Sequence, residues 1–119
     1  MSEPDLLLPL MARTPRGGKR NGLFALWLTV RVALDQTLNP AIPVRQSRRR
    51  IDALERRLTS LALPPQLRRA IPGALALLRE GEGQSPALAL QQLVAPVRDV
   101  LGPDAGDVVA RVAQRARGR

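Results

Sequence analysis

The sequence predicts an all-α protein, a small bundle of four to five short helices with a flexible basic N-terminal extension. Three observations carry this. Ala, Leu and Arg dominate the composition, and all three lose little on entering a helix. Apolar side chains recur at spacings of three and four along most of the chain, with no strand-like alternation and no internal repeat. Pro and Gly fall between these stretches, where helices start and stop.

Residues 1–11 read as a short apolar unit. Ser2 and Asp5 have capping-box spacing, and Leu6, Leu7, Leu8, Leu10 and Met11 follow, with Pro9 limiting the helix to one or two turns. Residues 12–22 read as a linker, since three Gly, one Pro and four positive charges offer no apolar side chain beyond Ala12 to offset ordering. The expected organisation is therefore residues 1–22 as an apolar segment on a basic leash and residues 23–119 as the helical domain.

The first long helix is expected over 23–38. Leu23, Leu26, Trp27, Val30 and Leu34 make one stripe, and Phe24, Leu28 and Val32 a second. A helix apolar on most sides belongs at the centre of its bundle, and Asn39-Pro40 with Pro43 ends it. The second helix, 44–62, is strongly amphipathic: Ile51, Leu54, Leu58 and Leu61 face inward and arginines occupy the rest. A third segment, 65–79, places Leu67, Ile71, Leu75 and Leu78 inside, and Pro72-Gly73 is expected to split it in two. The fourth helix, 85–101, starts with Ser85 as cap and Pro86 in its first turn; Pro96 should bend it and Gly102 end it. The last, 104–117, has Asp104 and Asp107 near its start and Arg111, Arg115 and Arg117 towards its end, matching the helix dipole.

Composition bounds the chemistry. The chain has 119 residues, room for one domain. Cys, His and Tyr are absent, which removes disulfides, thiolate or imidazole metal sites and Ser-His or Cys-His nucleophiles. No carboxylate pair sits in an apolar setting that would split two pKa values. Gly17-Gly18-Lys19 lacks the spacing of a phosphate loop. The expectation is a non-enzyme with no cofactor, metal or catalytic residue. The longest apolar run, Gly22 to Val30, is too short to span a bilayer even when extended to Leu34, at about 20 Å. The fit to a secretory leader is poor, and a cytoplasmic location is expected.

Charge is the informative feature. Nineteen basic residues face ten acidic ones, a net charge of +9, and all the basic residues but Lys19 are Arg. Arg45, Arg48, Arg49 and Arg56 fall along one side of a helix, with Arg50 and Arg57 flanking, and Arg68 and Arg69 add to it if the next helix folds back antiparallel. Guanidinium groups bind carboxylates and phosphates bidentately, so this strip is the candidate anionic-partner site. The alternative is a solvated face, with Asp52 pairing to Arg48 and Arg56 four residues away on either side. A helix-turn-helix over 51–79 is disfavoured because Pro72-Gly73 would break the recognition helix. A second candidate is the N-terminal segment: Leu7, Leu10 and Met11 are expected to insert into a partner groove, unless the segment folds onto its own core. The Phe24/Trp27 helix could rest at a membrane interface, though such a stripe more often lies in a core.

The leading expectation is a small non-catalytic subunit or adaptor. It would bind a larger protein assembly through its N-terminal segment and its basic and apolar helical faces. The first alternative is sequence-independent nucleic-acid binding through phosphate contacts along Arg45–Arg57. The second is peripheral association with a membrane surface.

Overall fold

A computed structural model describes residues 3–38 and 44–117. A 3-10 turn, Glu3–Leu6, leads into α1 (Leu7–Arg13). Then come α2 (Gly18–Leu38), α3 (Val44–Ser60), α4 (Pro65–Glu80), α5 (Ser85–Leu101) and α6 (Pro103–Arg117). Among the described residues there is no strand.

Helix α2 is the axis of the bundle and touches every other element. Its buried residues lie on several sides: Leu23, Ala25, Leu26, Val30, Val32, Ala33 and Leu34. Thr29 is fully buried among them and returns its hydroxyl to the Ala25 carbonyl at 2.8 Å, so no buried donor is left open. Helices α4, α5 and α6 pack consecutively on one another and each also touches α2, as short connections favour. The core is aliphatic, with Leu67, Ile71, Leu75, Leu78, Leu90, Leu93 and Val97 among its most deeply buried side chains. At the foot of α2 the helices approach closely. A Cβ on Gly22 would lie 2.8 Å from Leu67 Cδ1 and 3.2 Å from Leu101 Cδ2.

The structure departs from the sequence expectations at the N-terminus. Part of the expected linker is helical, because α2 begins at Gly18 rather than Leu23. The extra turn is held by tertiary contact. Asn21 Nδ2 donates to the Ala62 carbonyl at 3.0 Å, and Gly22 is the packing point just described. The preceding apolar segment is not held away from the body. Leu7 is fully buried in the common core, and Leu6, Leu10 and Met11 pack partly buried against it. Glu3 Oε1 accepts from Arg115 Nη1 at 3.1 Å, and Trp27 Nε1 donates to Asp5 Oδ1 at 3.4 Å. The Cα radius of gyration is 13.1 Å, against about 13.5 Å for a packed chain of this length. The expected docking set Leu7, Leu10 and Met11 therefore needs correction: these side chains cover the chain's own core, with Leu7 offering no surface. Apolar burial explains the outcome, since a free segment would leave four or five large aliphatic groups in water. Ser2, expected to cap this unit, lies outside the described residues.

Two further differences concern proline and boundaries. Helix α4 runs unbroken through Pro72. Pro72 and Gly73 are exposed, so the Arg68 carbonyl that loses its partner lies on the outer side, where water can satisfy it. Gly81 ends α4 in the left-handed conformation, φ 61°, and donates to the Leu77 carbonyl at 3.3 Å. Ser85 is the first residue of α5 rather than its cap, which is Gln84.

Candidate basic binding face

Helix α3 builds the site, and its sequence divides into sectors at about 100° per residue. Ile51, Leu54 and Leu58 point into the core and are buried, with Ser47 beside them. Opposite them, Arg45, Arg49 and Arg56 form an exposed outer strip, with Arg48 exposed toward one flank. Among the described residues these four guanidiniums make no ion pair.

The flank turned to α2 carries Arg50, Ala53 and Arg57. Arg50 Nη1 meets Asp35 Oδ2 at 2.6 Å. The Arg57 guanidinium carbon sits 4.8 Å from the centre of the Phe24 ring. One turn along α2, Arg31 lies at the same 4.8 Å over Trp27. These are cation–π contacts, in which the charge lies over the electron-rich ring. The rings of Phe24 and Trp27 are themselves neighbours, 6.1 Å between centres.

The flank turned to α4 is acidic. Asp52 and Glu55 both hold Arg79 of α4, at 2.6 and 2.7 Å from its Nη2. Hydrogen bonds that Arg79 donates to Glu55, and then to Asp52, raise its pKa above the ordinary value. This corrects the expected ladder within α3, since Asp52 pairs with α4 rather than with Arg48 and Arg56. One planar guanidinium serves two carboxylates one turn apart, which leaves Arg48 and Arg56 uncompensated.

The structure places the eight expected arginines at several positions. Arg45, Arg48, Arg49 and Arg56 are outward. Arg50 and Arg57 edge the α2 side. Arg68 turns back, donating from Nη2 to the Leu61 carbonyl at 2.9 Å, where it closes the end of α3. Arg69 is exposed on α4. The unbroken α4 removes the reason for setting aside a helix-turn-helix. Beyond Arg69, however, its outward face continues with Pro72, Gly73 and Ala76, which carry no hydrogen-bonding side chain for a base edge.

Between α2 and α3 lies an open cleft of about 240 Å³, lined by Leu28, Arg31, Val32, Arg50, Ala53, Leu54 and Arg57. Every lining side chain is either apolar or an arginine. Sequence reasoning missed it because the two halves come from separate helices. The only trace in the sequence is the repeated pattern of an arginine beside apolar residues at i, i+3 and i+4.

Among the described residues no cluster of three or more carboxylates is placed to hold a metal ion, and no helix is long and apolar enough to cross a membrane. No protein-family model matches the chain, and neither curated proteins nor solved structures yield a match to it.

Proposed function

We propose that the protein is a small, non-catalytic, cytoplasmic subunit or adaptor whose basic helical face meets an acidic surface of a larger protein assembly. The observation that supports this most directly is the composition of α3. Four exposed arginines with no ion pair among the described residues stand next to a cleft that mixes apolar floor with guanidinium rim. Protein interfaces combine these two elements, arginine and desolvated apolar surface. Phosphate-backbone recognition uses only the first of them.

A second reading, sequence-independent nucleic-acid binding, is favoured by the outer strip alone, since Arg45, Arg49 and Arg56 follow one line along α3. Pull-down from the native host with the full chain, with and without nuclease, separates the two. Protein partners that survive nuclease and are lost from the Arg45→Gln, Arg49→Gln, Arg56→Gln triple variant support the adaptor reading. Partners lost on nuclease treatment overturn it. So does affinity for duplex or single strands that falls log-linearly with salt, at about 0.9 per neutralised phosphate.

A further inference from the structure

We propose that the cleft between α2 and α3 is a docking groove for an acidic amphipathic helix of a partner protein. This rests on the adaptor reading above and names the surface and the chemistry of its occupant.

The floor of the cleft is Leu28, Val32, Ala53 and Leu54, and its rim is Arg31, Arg50 and Arg57. Ala53 is exposed while Leu54 beside it is buried, so a small side chain leaves room above a packed one. Apolar anchors spaced three and four apart on a partner helix would enter that room.

The rim is arranged in advance. Arg31 and Arg57 each hold a guanidinium over an aromatic ring, and Arg50 is held by Asp35. Among the described residues neither Arg31 nor Arg57 makes an ion pair, and a guanidinium can meet a carboxylate in bidentate fashion. Less side-chain freedom is then lost on binding. No acidic side chain lines the cleft itself, and of the rim arginines Arg50 alone is already paired, to Asp35, so the complementary occupant presents carboxylates beside an apolar stripe, towards Arg31 and Arg57.

Other occupants fit less well. An open cleft of about 240 Å³ falls below the roughly 300–1,000 Å³ of sites that enclose a small molecule. A phosphate chain would leave the apolar floor uncovered. A second copy of this chain would bring a net charge of +9 towards the same arginines. The neighbouring α3/α4 cleft contains both Glu55 and Arg68 and so lacks this one-signed rim.

The test uses the full chain, whose one tryptophan, Trp27, lies under Arg31 and reports on the rim by fluorescence. The probe is a synthetic helix of about five turns, with Leu at i, i+3, i+4 and i+7 and Glu on both flanks. Its twin carries Lys for Glu, and a single-stranded oligonucleotide and phosphatidylserine vesicles serve as competitors. The Glu helix is expected to bind and shift Trp27 emission, and the Lys twin to bind at least about tenfold more weakly. Ala53→Phe, which fills the cleft, and the pair Arg31→Gln with Arg57→Gln should each lose about tenfold in affinity. Arg111→Gln, exposed on α6 and outside both the cleft and the α3 strip, should stay within about threefold.

Equal binding of the twin overturns the proposal. So does unchanged affinity in both cleft variants with their helical spectra intact, or displacement of the helix by oligonucleotide or vesicles at equal charge. Failure of the Glu helix to bind overturns it as well. In that event the nuclease-treated pull-down tells how far the failure reaches: a protein partner lost only from the outer-strip variant leaves the adaptor reading standing without the groove, and the absence of any protein partner removes both.

Discussion

Glu3 and Arg115 meet at 3.1 Å across the bundle, joining the first described turn to the last helix. The pair marks a seat more than it creates one. The Arg115 side chain is 51 % exposed, and ion pairs in such settings contribute between zero and about 1 kcal/mol. Leu7, fully buried nearby in sequence, carries the larger share.

Leu7→Ala is therefore expected to lower stability by about 2–5 kcal/mol, the range for emptying a buried leucine site. Glu3→Gln should change it by less than about 1 kcal/mol. Urea denaturation followed by far-UV circular dichroism measures both. A Leu7→Ala variant as stable as the parent would mean that the segment does not occupy this seat.

Two glycines in helices should respond in opposite directions to alanine. Gly22→Ala gains helix propensity of about 1 kcal/mol, but its methyl would crowd Leu67, which is itself 1 % exposed and enclosed. Overpacking of this kind costs about 1–3 kcal/mol, so a net loss is expected. At Gly73 the nearest atom is Gln92 Oε1 at 3.8 Å, and Gly73→Ala should stabilise by up to about 1 kcal/mol. Thermal melts of the two variants side by side give the comparison.

Pro72→Ala should also stabilise, by about 1–3 kcal/mol. It supplies the missing donor to the Arg68 carbonyl within a helix that is already continuous. Had the proline separated two helices, its removal would be neutral or harmful. Chemical denaturation decides, with hydrogen exchange around residue 72 showing whether the new amide is protected.

Arg79→Gln should lower the urea midpoint, because both Asp52 and Glu55 lose their partner. The raised Arg79 pKa places its charged form, on the guanidinium side, at every pH below its unfolded value, with the contribution lost only in strong alkali. Salt is the practical lever. The difference between variant and parent should shrink from low salt to about 0.5 M, as screening shortens the reach of exposed charges.

Much of this architecture could be read from spacing. The inward faces of α3, α4 and α5 follow from leucines at intervals of three and four, and Pro65, Pro86, Gly81 and Gly102 sit where helices begin and end. What spacing could not reveal depends on distant partners. The first turn of α2 has a poor local sequence and forms because Ala62, Leu67 and Leu101 accept it. Pro72 is tolerated because it faces outward. The destination of Asp52 required knowing that Arg79 lies opposite, and the contact of Arg57 with Phe24 joins residues on different helices. Local periodicity fixes which face is greasy; it does not say which neighbouring charge will claim a carboxylate.

The seat of Leu7 also sets an order of events during synthesis. Helices α5 and α6 are separated by Gly102 alone and can zip together as they emerge, since contacts close in sequence form fastest. The opening turn and α1 rest on α2 and also on α6. At about 5–20 residues per second, the leading segment leaves the ribosome seconds before the last part of its berth exists. Until α6 has formed, the leucines of the opening segment lack part of their seat.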